Sequence, residues 1–229
     1  MLPLRDDNPT RTFPLVTILL ILANGLVWLW ELTLGSGDQL GRFFLHFGFV
    51  PGVLIGKVSP PPAPLVPYAL SILSSMFVHG SWSHVLGNML FLWIFGNNIE
   101  DRLGHARYLL FYIAGGVAAA LVHLLSDPSS SIPTIGASGA IAAVMGAYLF
   151  LFPHAKVRTL VFVVFITSIL LPAWLFLGIW FLIQLFQGTF AGNAEGVAVW
   201  AHIGGFLFGV VVAAVTARTT RMHSDNYTT

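Results

Sequence analysis

Six apolar stretches dominate the chain, and lipid or a deeply buried core is the environment that can hold so many. They run Phe13–Trp30, Val85–Ile99, Tyr108–Leu125, Gly139–Phe152, Thr159–Phe186 and Val197–Val215. A helix needs roughly 20 mostly apolar residues to cross a bilayer. Only 8% of the 229 residues are charged, against about 25% in an average soluble domain. That deficit excludes a water-soluble globule and a disordered chain, and it predicts an all-α polytopic membrane protein. A net charge of +1 offers nucleic acid nothing to bind. The absence of cysteine removes disulfides, Cys-ligated zinc and a thiol nucleophile.

The second and fourth stretches are short, so their outer ends should lie inside protein or beside a water-filled cavity. The fifth is long and carries Pro172, which predicts a bent or tilted helix. No small-residue cleavage site follows the first stretch at Trp28–Glu31, so it reads as a retained anchor. Arg5, Arg11, Arg102, Arg107, Lys156, Arg158, Arg218 and Arg221 fall on one side of the six spans, and only Arg42 and Lys57 on the other. The positive-inside rule then puts both termini in the cytosol. One transmembrane domain is expected over 1–229. Its cytosolic N-terminal segment is 1–12, its external loop 35–83 and its cytosolic tail 216–229, the last eight residues frayed. The loop is rich in Pro and Phe, which suits the membrane interface. The short tails suggest the cytoplasmic membrane of a bacterium.

Polar groups inside spans are costly and mark function. At ~1.5 Å per residue, His84 stands about 24 Å above Glu100, and Asn88 one turn deeper. His202 stands about 24 Å above Arg218, and Ser138 about 27 Å above Lys156. Four polar side chains from three helices thus reach one level, near the outer edge of a core about 30 Å thick. Ser138, Ala142 and Gly146 share a helical face, as do His202, Gly205 and Gly209. Both stripes are small-residue seams along which membrane helices pack closely. Their meeting would set Ser138 against His202, with His84 and Asn88 on one face of the second span.

A serine hydroxyl becomes a useful nucleophile when a neighbouring base takes its proton, and His202 can be that base. No carboxylate lies at this depth to orient the ring. Glu195, the nearest, falls in the external loop, so a Ser–His dyad is expected, with packing in place of a third member. Gly136-Ala137-Ser138-Gly139 puts the serine at a loop-to-helix junction, where unpaired N–H groups can meet developing negative charge. Asn88 and His84 add side-chain donors. The reaction expected is amide hydrolysis through an acyl-enzyme, with no cofactor and no metal.

These residues resemble a rhomboid intramembrane serine protease over about Phe49 to Val215. The resemblance rests on Ser75-Met76-Phe77-Val78-His79-Gly80, Ser83-His84-Val85-Leu86-Gly87-Asn88-Met89, Gly96–Gly104, Gly136-Ala137-Ser138-Gly139 and Ala201-His202-Ile203-Gly204-Gly205, in this order. It implies a six-helix bundle open to the external face, with Ser138 as nucleophile and His202 as base. It implies that His84 and Asn88 stabilise the oxyanion and that Glu100–Arg102 forms a structural polar cluster. It implies a membrane-embedded external loop and a fifth span that gates lateral entry. The substrates implied are single-pass membrane proteins, cut near the outer boundary at small residues. The chain departs from the family at Ala142, where an aromatic often stacks on the base, and it lacks a Trp-Arg pair in the external loop. No seventh span or cytosolic domain is seen, which matches the minimal form.

His79 is expected to hydrogen-bond within its loop, and His123 to be structural. Glu100 and Arg102 are expected to pack as a pair at the cytosolic rim, and Gln184 lies near the end of span five. Gly35-Ser36-Gly37-Asp38 mimics an aspartyl-protease string, but that chemistry needs two intramembrane carboxylates. There is no H-E-x-x-H for a metalloprotease. A transporter is the less favoured reading, since no pair of broken helices or buried coupling acid is present. A rhomboid-like protein that binds membrane clients without cutting them would be expected to lack the Ser or the His.

Overall fold

A computed structural model describes residues 1–61, 64–162, 166–191 and 198–225, with backbone alone for 162, 166, 191 and 218–225. In order, the elements are β1 (Leu2–Asp6), α1 (Leu15–Thr33), α2 (Asp38–Phe47), α3 (Pro51–Leu54) and α4 (Ser71–Ser74). They continue with α5 (Trp82–Leu103), α6 (His105–Ser126), α7 (Ser138–Leu151), β2 (Lys156–Phe162), β3 (Ile166–Pro172), α8 (Ala173–Phe186) and α9 (Val199–Asp225). The protein is a helical membrane protein. The helices at Leu15–Thr33, His105–Ser126, Ala173–Phe190 and Val199–Ala217 are long and apolar enough to cross a bilayer.

α7 lies at the centre, and every residue from Ala140 to Tyr148 is buried. A helix apolar on all sides suits either lipid or a protein core, and here α5, α6, α8 and α9 surround it. Its alanines and glycines let neighbours approach to backbone distance. A Cβ on Gly205 would overlap the Gly139 carbonyl, one on Gly209 the Ala143 carbonyl, and one on Gly146 the Phe206 carbonyl. The α7–α9 seam therefore uses Gly139 and Ala143 along with the expected Gly146, Gly205 and Gly209. Ala142 sits beside it, near Gly205. α6 closes on α7 in the same way, Gly115 against Ala143.

Two of the expected spans change shape. α5 runs 22 residues, because its ends are polar and escaped an apolar window. The Ser81 hydroxyl caps its start, accepting from the His84 backbone N–H at 3.2 Å. Gly104 ends it at φ +77°, a conformation that favours glycine, and α6 begins at once. The expected fifth span is not one helix. Lys156–Phe162 and Ile166–Pro172 pair as an antiparallel hairpin, with Lys156 opposite Pro172 and Phe162 opposite Ile166. The run Val157, Thr159, Val161, Thr167, Ile169 is β-branched at alternate positions, which suits a strand. Pro172 therefore bends no helix. It closes β3 and precedes the first turn of α8, where its missing N–H costs nothing. β1 adds the third strand, pairing antiparallel with β2, so the segment expected as an N-terminal tail is part of a sheet. α9 continues to Asp225, beyond the expected span, and 226–229 lie outside the described residues.

Polar contacts tie the sheet end of the bundle. The Glu100 carboxyl, with no solvent exposure, accepts from the Val16 and Thr17 backbone N–H groups at 2.7 and 2.8 Å. It also accepts from the Thr17 hydroxyl at 2.7 Å and faces His105 Nδ1 at 2.6 Å. It thus caps the first turn of α1 from another helix. Asp101 accepts from the Arg11 and Thr12 backbone N–H groups. Arg102 is exposed, and the expected Glu100–Arg102 pair is replaced by these amides and His105. The Asp6 carboxyl accepts from Asn98 and from the Tyr148 hydroxyl. Burial pushes its pKa above the ordinary carboxylate value, and the Tyr148 bond opposes that shift.

Two outcomes follow. Glu100→Ala should destabilise the protein by roughly 3 kcal/mol, because it strands two amides and a hydroxyl. Thermal unfolding in detergent measures it, and an unchanged midpoint would count against the cap. Gly205→Val should cost about 3 kcal/mol by overpacking the seam. A variant that melts at the wild-type temperature would disprove that role.

Candidate active site

The loop before α7 is held from two sides. Phe49 and Thr134 exchange backbone hydrogen bonds at 2.9 and 2.7 Å, and the Gly136 N–H donates to the Ser75 carbonyl at 2.8 Å. Both contacts come from the segment expected as an external loop, which folds as short helices over α1 and α6. Trp30 meets Phe43 and Phe47 edge-on at 4.8 and 5.5 Å there. Gly136 has φ +115°, and a Cβ there would stand 2.5 Å from His84 Nε2 and 3.5 Å from Asn88 Nδ2. The glycine lets the loop pass directly beneath these two side chains.

Ser138 opens α7, so its backbone N–H has no acceptor one turn earlier. Its Oγ lies 2.7 Å from His202 Nε2. His202 is one turn before Gly205, so the seam that joins α7 to α9 also sets this distance. A cavity of about 690 Å³ holds Ser138, His202, His84, Asn88, Gly136 and Gly139 together in its walls. Among the described residues no cluster of three or more His, Asp or Glu side chains is arranged to hold a metal.

The ring of His202 is also held at its far nitrogen. Nδ1 lies 2.7 Å from Gln184 Oε1 on α8. Trp180, one turn before Gln184, faces the same ring with centroids 6.0 Å apart. The contact expected from packing alone is therefore made by a side-chain amide and an indole from a third helix. Ala142, on α7, leaves the ring's aromatic contact to α8. Glu195 lies outside the described residues.

A further support stands behind Asn88. Its Nδ2 donates to His79 Nε2 at 3.0 Å, and His79 Nδ1 donates to the Phe77 carbonyl at 3.2 Å. A carbonyl only accepts, so His79 carries its proton on Nδ1 and accepts on Nε2. One Asn88 N–H is thereby engaged, and the amide plane is fixed with its second N–H unassigned. His79 is fully buried, and its backbone N–H donates to the Glu31 carboxyl at 3.1 Å. For His84, Nδ1 accepts a long 3.5 Å contact from the Gly80 N–H, which leaves Nε2–H turned toward Gly136. His123 is buried in the cavity wall.

A serine hydroxyl, an imidazole within hydrogen-bond distance of it and the side chains of His84 and Asn88 thus share one cavity. The sequence of the chain matches the Rhomboid domain model over residues 68–219. The chain belongs to the rhomboid family. It is 34% identical over 153 residues to Rhomboid protein 1, mitochondrial, of Saccharomyces cerevisiae, covering 62% of this chain and 40% of that protein. It is 33% identical over 146 residues to Presenilin-associated rhomboid-like protein A, mitochondrial, of Danio rerio, covering 62% and 36%. Rhomboid-like protease 5 of Toxoplasma gondii is 31% identical over 152 residues, covering 65% and 16%. The chain thus spans well under half the length of each of these rhomboid relatives.

Gly136→Ala should impair this rhomboid site twice over, by its positive φ and by contact with His84. A loss of about 2 kcal/mol in stability is expected, together with weaker labelling by a serine-reactive probe. Labelling and melting at wild-type values would refute the close-passage argument.

Proposed function

We propose that this rhomboid-family protein is an intramembrane serine endopeptidase that cuts single-pass membrane proteins near the outer face of the bilayer. The observation that carries the reading is the 2.7 Å contact between Ser138 Oγ and His202 Nε2 inside a cavity also walled by His84 and Asn88. Ser138 Oγ attacks the scissile carbonyl carbon while His202 Nε2 takes its proton. The carbonyl oxygen becomes an oxyanion that accepts from the Ser138 backbone N–H, His84 Nε2–H and the second Asn88 N–H. One such donor lowers a barrier by about 3 kcal/mol in other hydrolases. The C–N bond then breaks, and His202 returns the proton to the leaving amine. Water attacks the acyl-serine with His202 again as base, releasing a carboxylic acid and restoring Ser138.

Helices α1 and α5 to α9 are the six spans of this proposal. The basic residues Arg5, Arg11, Arg102, Arg107, Lys156 and Arg158 flank the sheet end, which supports a cytosolic sheet and an active site opening on the far side. A cytoplasmic membrane is the location that goes with this orientation. The mitochondrial names of two relatives describe those proteins. Small side chains in the cavity wall, Gly116, Ala119 and Ala120, favour a substrate with small residues at the cut. A client-binding protein without activity, or a transporter, would have no use for the Ser138–His202 contact.

Ser138→Ala should abolish both fluorophosphonate labelling and cleavage of a model single-pass substrate while leaving thermal unfolding unchanged. Residual turnover at the wild-type rate in the purified variant would end the proposal.

A further inference from the structure

The geometry points to Gln184 as a positioning residue whose carbonyl holds His202 in the Nδ1–H tautomer, leaving the Nε2 lone pair on the Ser138 hydroxyl. The inference rests on the reading of Ser138 and His202 as nucleophile and base. A neutral imidazole has two tautomers, and the partner of one nitrogen decides which proton the other carries. Only the Nδ1–H form can accept from Ser138, because an Nε2–H would donate to the serine oxygen and leave its proton in place. Gln184 Oε1 is 2.7 Å from Nδ1. The amide's other end, Nε2, donates to Gln187 Oε1 at 3.4 Å, so its nitrogen is drawn along α8 and its oxygen is turned to the ring. Gln184 is 9% exposed, which limits competition by water.

A neutral acceptor suits this depth. A carboxylate in the same place would have to be stripped of water in apolar surroundings, at a cost its pairing with the ring does not reliably offset. An amide orients the imidazole without bringing a charge. Trp180, one helical turn away, faces the ring at 6.0 Å, so one face of α8 supplies both the acceptor and the packing. α8 thereby contributes to the chemistry of a site whose reacting groups lie on α7 and α9.

The test uses the full chain purified in detergent, with Gln184→Leu, Gln184→Glu, Ser138→Ala and His202→Ala. Acylation by a fluorophosphonate is followed against pH, together with kcat and KM on a model single-pass substrate. ¹⁵N spectra of histidine-labelled protein report the tautomer, the His202 signals being assigned by their loss in His202→Ala. Gln184→Leu should slow acylation and kcat about 10²-fold with KM little changed, and should erase the Nδ1–H signature. Gln184→Glu should keep acylation within a few-fold of wild type. It should also move the acidic limb of the pH–rate profile upward, because a carboxylate favours the imidazolium. A folded Gln184→Leu with the wild-type rate and pH profile would overturn the inference, as would a wild-type His202 protonated on Nε2. If Gln184→Leu fails to fold, the Gln184→Glu profile and the wild-type spectrum decide. Undiminished labelling of Ser138→Ala would instead overturn the protease reading, whereas inactive Ser138→Ala beside fully active Gln184→Leu would remove the role of Gln184 alone.

Discussion

The distance between α7 and α9 is set by backbone atoms with no side chain between them. Gly205 lies on the Gly139 carbonyl and Gly209 on the Ala143 carbonyl. In lipid, helices gain little from hiding apolar surface, because the solvent is as apolar as the side chains, so close van der Waals packing has to hold them. The same contact brings Ser138 and His202 within a hydrogen bond, since each sits at most one turn from a seam residue. Stability and the Ser138–His202 geometry therefore share one constraint.

Around that seam, several buried carboxylates meet partners on other segments. Glu100 takes the first amides of α1, Asp6 takes Asn98 and Tyr148, and Glu31 takes the His79 backbone. An unpaired polar group costs more in a low-dielectric interior than at a surface, so these bonds act as joints between segments far apart in the chain. The joints at the sheet end fix the bundle, and those at the opposite end fix the loop that carries Gly136 and the amide of Asn88.

Several features were legible in the residues and others were not. Helical rise counted from the basic residues grouped Ser138, His202, His84 and Asn88, and all four line one cavity. Gln184 escaped the same reasoning. Counted as helix from Arg158, it lies 26 residues on, or ~39 Å, beyond a core about 30 Å thick. The count failed because residues 156–162 and 166–172 form a hairpin, so the helix starts only at Ala173. Apolar content alone does not separate a β-branched strand pair from a helix. Glu100 was read with Arg102, its neighbour in sequence, whereas its partners are amides more than 80 positions away.

What the sequence determined by itself was the class of protein and the grouping of Ser138, His202, His84 and Asn88, because both depend on local composition and a repeating rise. It also determined the family, through short motifs kept in order. What only the tertiary structure decided was which partner each polar group meets. The Gln184 carbonyl at His202, the His79 ring behind Asn88 and the sheet formed from the N-terminal segment all join residues remote in the chain. Such contacts depend on the angle and offset of packed helices, and no period along one helix encodes these.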